Sequence, residues 1–313
     1  MKNSYTFKCN ENEKKLLIDE LKNSKYIKTN VPYTIISVKT ELCNINLYES
    51  DKILVQGKGS KDWINFVLEP KIFKKILIGY DAILNPDSIK PHIGIDESGK
   101  GDFFGPLIIA SAYIDENLIG DLESIGVRDS KSIKSDRKIL DMSKEIRKVL
   151  NNKFKIITFG VTAFNKRYLQ IQNLNKMLAW GHAQAIENLL EEVPNCPRAL
   201  SDKFGPDHQI KNQLKEKGRR IILEQKTKAE SDPAVATASI LARAQFVNSI
   251  YKLEKQFDLE IPKGCSEKVK DTAKNIINTH GPEILKDIVK CNFKTTDQIL
   301  LSLGYNRKDL KLD

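Results

Sequence analysis

The sequence predicts an α/β protein: a small α+β unit, then a sheet flanked by long helices, then a helical tail. Three observations carry this. Turn-forming dipeptides, Asn85-Pro86, Asp87-Ser88 and Lys90-Pro91, cluster in "LNPDSIKPH" and break the chain there. Before them, three β-rich runs lie between two helical patterns. After them, apolar strand-like runs alternate with long stretches of helical spacing. The expected division is residues 1–84, a linker at 85–91, and residues 92–313. The 313 residues supply ample material for a core.

The first helix is predicted from about Glu13 to Leu21. "YTIISVKT", "CNINLYES" and "KILVQGK" then read as successive strands of a curved antiparallel sheet, rich in β-branched and aromatic residues. A helix from about Lys61 to Ile76 completes this unit. Gly57 and Gly59 permit a sharp turn or a close backbone approach. Beyond Pro91, "HIGID" and "PLIIASAYI" read as strands joined by a Gly-rich turn, and "FKIITFGVT" as a third. "NLNKMLAWGHAQAIENLLEEV" has helical spacing, with Leu174, Leu178, Ala185, Ile186 and Leu189 on one face. "RALSDKFG" is a short strand ending at an acid, and "RRIILEQK" is another strand. Asp232 as N-cap and Pro233 at the first helical position start the longest helix. From about Ser266 the tail reads as two or three shorter helices.

The formal net charge of +10 favours a polyanionic partner, nucleic acid before an acidic membrane surface. The five cysteines are scattered and form no CxxC pair, which argues against a disulfide framework or zinc site and for a reducing compartment. The opening "MKNSYTFKCNENEKK" becomes charged too early for a signal peptide, and no apolar run is long enough to span a bilayer. A cytoplasmic monomer with no membrane association and no protein partner is the expectation.

Acids gather where strands end. Asp96 and Glu97 close "HIGIDE", Asp202 closes "RALSD", and Glu230 lies just before the long helix. In open α/β sheets, sites form where strand ends and helix N-termini meet. Singly, each acid has a plainer reading: an exposed turn for Asp96-Glu97 and for Asp202, a helix-dipole partner for Glu230. Jointly, four neighbouring carboxylates repel one another and call for divalent cations with oxygen ligands. Two such ions activate water and stabilise a leaving oxygen in phosphodiester cleavage. Strand alternation starts Asp96 and Glu97 on opposite faces, which the loop start can relax for Glu97. Basic charge, carboxylates and a glycine loop together point to a metal-dependent nuclease.

"GIDESGKGDFFGPL", "VRDSKSI", "NLNKMLAWGHAQAIENLL", "SDKFG" and "KAESDPAVATASILAR" follow one another as in the bacterial ribonuclease HIII group of the type 2 ribonucleases H, which this chain resembles. The combination of DESGKGD, LAWGHA and KAES separates that group from ribonuclease HII, whose loop usually reads Gly-Arg-Gly. The first segment, "ILVQGKGS" above all, resembles the group's TATA-box-binding-protein-like (TBP-like) domain. The resemblance implies an RNase H-like mixed sheet flanked by helices. It also implies endonucleolytic cleavage of the RNA strand of RNA/DNA hybrids, with 5′-phosphate and 3′-hydroxyl products and Mg2+ or Mn2+ as cofactor, two ions in number. Its catalytic and metal-binding set falls on Asp96, Glu97, Asp202 and Glu230, with Asp232 as an alternative fourth member. Within it, Asp96 is expected to bridge both ions, Glu97 and Asp202 to complete separate shells, and Glu230 to hold the second ion or orient a water.

The backbone of Ser98, Gly99, Lys100 and Gly101 resembles the family's substrate loop, which reads the 2′-hydroxyl that marks RNA. Lys131 and Arg243 are candidate phosphate contacts or ordinary surface charges, and Asp129 is a cap or an orienter of Lys131. Tyr48, Gln56 and Lys58, with Tyr33, Lys39 and Lys52, are candidates to hold the hybrid. His182 is expected to be a packed structural partner of Trp180. His92, His208 and His280 show no ligand spacing. A junction resolvase of the same fold would share the acids without needing a 2′-hydroxyl. A non-catalytic binding protein would not need all four acids.

Overall fold

The computed structural model describes residues 4–74, 88–127, 133–206, 208–227 and 229–312. The chain separates into two compact units, Met1–Ile89 and Lys90–Asp313.

In the first unit, α1 (Glu11–Asn23) starts two residues before its apolar pattern because Asn10 and Glu13 form a reciprocal cap. The Asn10 side chain accepts the Glu13 N–H at 2.9 Å, and the Glu13 carboxylate accepts the Asn10 N–H at 2.8 Å. The sheet has five antiparallel strands: β1 (Ser4–Lys8), β2 (Ile27–Lys28), β3 (Thr34–Lys39), β4 (Asn44–Tyr48) and β5 (Lys52–Gln56), in the order β1-β5-β4-β3-β2. The expectation of three strands missed β1 and β2. "SYTFK" is short and precedes a charged run, and the two residues of β2 are both exposed, so neither shows the buried alternation that marks a strand. A helix follows: α2 (Ser60–Trp63), continuing as a π-helix over Ile64–Phe73 that contains Pro70. Proline has no N–H to give to a helical ladder, and wide winding is one way to accommodate it. Val38, Ile45, Leu47, Ile53 and Val55 point to the core beneath α1 and this helix, beside Leu17, Leu21, Trp63 and Leu68. The other face therefore carries Lys39, Asn44, Asn46, Tyr48, Lys52 and Gln56.

The second unit contains β6 (His92–Ser98), β7 (Leu107–Ile114), α3 (Glu116–Ile125), α4 (Asp136–Leu150), β8 (Phe154–Phe159), α5 (Val161–Ile171), α6 (Leu174–Leu189) and β9 (Arg198–Asp202). Then come α7 (His208–Lys211), β10 (Ile222–Lys226), α8 (Pro233–Phe257), α9 (Glu267–His280), α10 (Leu285–Ile288) and α11 (Lys294–Ser302). The five strands order as β10-β9-β6-β7-β8; β6, β7 and β8 run antiparallel, while β9 and β10 run parallel to β6.

Two cores cover the two faces of this sheet, and the period of two assigns residues to them. Ile108, Ala110, Ala112 and Ile114 of β7 join the core built on α8, α4 and the C-terminal helices. Leu107 and Ile109 join the core built on α6, with Ile93 and Ile95 of β6. On β6 the even positions face α8. A Cβ on Gly94 would lie 2.1 Å from the Ala234 carbonyl carbon and 2.2 Å from the Val235 nitrogen, so the first turn of α8 sits directly on the strand there.

Candidate active site

Ile95 pairs with Ser201 at the last step of the parallel β6–β9 ladder, so Asp96 and Asp202 come next, Asp96 two residues before the end of β6 and Asp202 at the end of β9. Glu230 stands in a 3-10 turn, Ala229–Ser231, immediately before α8. The close approach of α8 at Gly94 brings this turn over the strand ends, and Asp202 Oδ1 accepts the Ala229 N–H at 3.0 Å. Asp96, Asp202 and Glu230 line one cavity of about 230 Å³ with Ile139, Ser239, Ile240 and Arg243.

Glu97 lies on the opposite face, as alternation dictates. Its backbone N–H donates to Asp96 Oδ1 at 2.8 Å. Its Oε2 lies 3.2 Å from Nε2 of fully buried His182 on α6, and Lys100 donates to its Oε1 at 3.3 Å. The two neighbouring carboxyls thus meet opposite environments. Burial, with the adjacent Glu97 charge second, pushes Asp96 up to about 6, against a hydrogen bond from Ser239. Burial acts on Glu97 in the same sense, but His182 and Lys100 outweigh it and hold the carboxyl below its usual range. Among the described residues, no three His, Cys, Asp or Glu side chains converge as a preformed metal cage. The donor set is nonetheless that of a hard divalent cation: carboxylate oxygens around a cavity with room for water, one of them an acid raised by burial and by the neighbouring Glu97 charge.

Asp232 is elsewhere engaged. It accepts the Ala234 and Val235 N–H groups as the cap of α8, and its carboxylate is 2.9 and 3.1 Å from Nε2 of buried His92, whose Nδ1 faces the Lys90 carbonyl. Asp232 does not line the cavity.

Ser98 ends β6 and Gly99, Lys100 and Gly101 form the turn after it. Gly99 has φ +87°, and a Cβ there would lie 2.2 Å from the Pro106 carbonyl oxygen, which excludes other residues. Gly101 faces open space. The segment just after the loop is braced by the chain around the C-terminal helices. Phe103 N–H donates to Gly264 O, Gly105 N–H to Ile288 O, and the buried Lys290 ammonium to Gly105 O at 2.6 Å. Arg243 is half-buried at the cavity wall, with Nη1 on the Ile133 carbonyl at 2.6 Å and Nη2 3.9 Å from Asp136. Lys131 and Asp129 lie outside the described residues. In the first unit Tyr48, Gln56, Lys39 and Lys52 share the polar sheet face, while Tyr33 and Lys58 sit in turns.

One reading changes, and one site residue had no reading at all. His182 does not pair with Trp180. Trp180 is 40% exposed and packs edge-on against Phe159, whereas His182 turns inward to Glu97. Ser239, invisible as a site residue in "TASILAR", reaches Asp96 because α8 crosses the strand end. No local signal marks it.

The strand order, acidic strand ends and flanking helices define an RNase H-like nuclease. Residues 93–296 match the family described as Ribonuclease HII, and residues 5–70 a family described as a domain of unknown function, DUF3378. The chain is 40% identical over 286 residues to Ribonuclease HIII of Chlamydia caviae, covering 91% of this chain and 93% of that one. It is 38% identical over 288 residues to Ribonuclease HIII of Protochlamydia amoebophila, covering 92% and 94%. A crystal structure of Bst-RNase HIII in complex with Mn2+ matches with TM-score 0.66 and 25% identity, over 96% of this chain and 98% of that one. Aquifex aeolicus RNase H3 matches with TM-score 0.55 and 28% identity, over 93% and 100%. The chain belongs to the ribonuclease HIII family, metal-dependent endonucleases that hydrolyse the RNA strand of RNA/DNA hybrids.

Proposed function

We propose that this chain cuts hybrids with Asp96, Glu97, Asp202 and Glu230 as its catalytic carboxylates, using two divalent cations, Mg2+ or Mn2+, and leaving 5′-phosphate and 3′-hydroxyl ends. The observation that carries this is the shared cavity: three strand-end or helix-start acids line it, and the fourth adjoins Asp96 in sequence and charge. The four carboxylates would hold the cations. Divalent cations supply water activation at neutral pH and charge neutralisation at the scissile phosphate.

The rest falls to the chain. Asp96 and Asp202, on paired strands, present oxygens from a rigid sheet rather than from loops. Glu230 enters from the turn that Asp202 itself ties down. Arg243 at the cavity wall offers a positive charge to a phosphate oxygen. Backbone groups of Ser98 to Gly101 approach the sugar, where the 2′-hydroxyl separates RNA from DNA. The polar face of the first unit, with Tyr48, Gln56, Lys39 and Lys52 and with Lys58 beside it, holds the hybrid across its shallow minor groove. The protein works as a cytoplasmic monomer.

The test is cleavage of an end-labelled hybrid with Mg2+, Mn2+ or EDTA, beside duplex DNA, duplex RNA and a DNA duplex carrying one ribonucleotide. Metal-dependent cutting confined to the hybrid, abolished by Asp96→Asn while hybrid binding persists, is the expected result. Cleavage by Asp96→Asn at the unsubstituted rate would end the metal assignment.

A further inference from the structure

His182 is a polar side chain buried completely, next to a proposed metal-binding carboxylate, with both ring nitrogens engaged. We propose that His182 is a positioning residue: together with Ser201 it fixes the Glu97 carboxylate against the strand that carries Asp202, and so sets the affinity of the acidic site for divalent cations. This rests on the assignment of Glu97 and Asp202 made above.

The argument begins with helix α6. In "LAWGHA", a Cβ on Gly181 would lie 2.2 Å from Ile109 Cδ1 and 3.0 Å from Phe159. A Cβ there would push the Ile109 side-chain end and the Phe159 ring aside, so glycine suits the close approach of α6 to the sheet, and that approach carries the next residue, His182, to the end of β6. There Nε2 is 3.2 Å from Glu97 Oε2 and Nδ1 is 3.0 Å from Ser201 Oγ. An ionised carboxylate only accepts, so Nε2 carries the hydrogen and donates it. In a neutral ring Nδ1 is then an acceptor, and the single Ser201 hydroxyl hydrogen is shared between Nδ1 and the Asp202 carbonyl oxygen, donating to one of them at a time. Ser201 is the residue before Asp202, and its Oγ also lies 3.0 Å from the Asp202 carbonyl oxygen.

The imidazole therefore spans two neighbouring strands, tying a side chain at the end of β6 to the end of β9. Phe204, two residues past Asp202, closes the arrangement. Its ring lies 4.8 Å from His182, and the Lys100 ammonium stands 5.6 Å above it while donating to the other Glu97 oxygen. With one donor on each oxygen, Glu97 has a set orientation and still keeps lone pairs for a cation. Partners of this kind, outside the ligands themselves, tune metal affinity by orienting the ligating carboxylate. Full burial keeps His182 from bulk water, so it acts through Glu97.

The experiment uses the full chain. Mn2+ binding is measured by titration calorimetry, hybrid cleavage is measured as a function of Mn2+ concentration, and melting temperature is recorded for each protein. His182→Ala is expected to weaken Mn2+ binding by about 10- to 100-fold, with a matching rise in the Mn2+ needed for half-maximal cleavage. KM for the hybrid at saturating Mn2+ stays unchanged. His182→Gln, whose amide can donate where Nε2 does, regains most of the affinity. Ser201→Ala leaves the ring in place without its second anchor and is expected to lose affinity by a smaller factor. Should His182→Ala fail to fold, His182→Gln and Ser201→Ala carry the test. Mn2+ affinity unchanged in the folded variants overturns the proposal, whether or not the melting temperature drops. If the unsubstituted chain itself neither binds Mn2+ nor cuts the hybrid, the carboxylate assignment fails, and this proposal fails with it.

Discussion

At the scale of single residues, neighbouring acids in "KAESDP" do different work because of what stands across from each. Glu230 lines the acidic cavity, whereas Asp232 caps α8 and meets His92. Glu230→Gln should cut hybrid cleavage on the order of 100-fold with little change in melting temperature. Asp232→Ala removes a cap and leaves a buried imidazole without its partner, so it should cost about 2–4 kcal/mol in denaturant unfolding. The reverse pattern would make Asp232 the fourth catalytic acid. Lys290 offers a second residue-scale test. Burial lowers its pKa to about 7 from an ordinary 10.5. The unfolded chain therefore binds a proton between about pH 7 and 10.5 that the folded chain does not. Stability contributed at this site should rise with pH across that window and be flat below it. Unfolding free energies measured from pH 6 to 10 should show the rise in the native chain and lose it in Lys290→Met.

At the scale of elements, the site depends on two helices pressed onto opposite faces of β6. His92, Gly94 and Asp96 meet α8, through Asp232, Ala234 and Ser239 respectively. Ile93 and Ile95 share the α6 core, and Glu97 meets His182 of α6. Gly94→Ala forces a methyl into the backbone of α8, which has no flexible end to yield. A loss of about 1–3 kcal/mol is expected. The displaced turn should also lower cleavage beyond what the remaining folded fraction explains. Cleavage per folded molecule equal to that of the native chain would show that α8 does not set the position of Glu230.

At the scale of the whole molecule, a net charge of +10 sits on a chain whose proposed binding face is polar and lysine-bearing. Phosphate contacts release counterions, so hybrid affinity should fall linearly with salt on logarithmic axes. Changing Lys39, Lys52 or Lys58 to Gln should each reduce the magnitude of that slope by about one, leaving cleavage of saturating hybrid unaltered. Unchanged slopes in all three would remove this face from the hybrid interface.

Much of this protein is decided locally. The Asn10 cap, the Asp232-Pro233 start of α8 and the alternation of β7 are written in neighbouring residues, because caps and pleats act over a few positions. The acidic motif, its glycine loop and the family were legible from "DESGKGD", "SDKFG" and "KAES" for the same reason. Strand period also determined that Asp96 and Glu97 face apart. What it could not determine is what each face meets. That His182 stands against Glu97 rather than Trp180, that Ser239 reaches Asp96, and that Asp232 turns to His92 all depend on contacts between residues far apart in the chain. Periodicity assigns a side chain to a surface. Only the packing of α6 and α8 on the sheet supplies its partner, and the partner decides whether a carboxylate serves as cap, anchor or ligand.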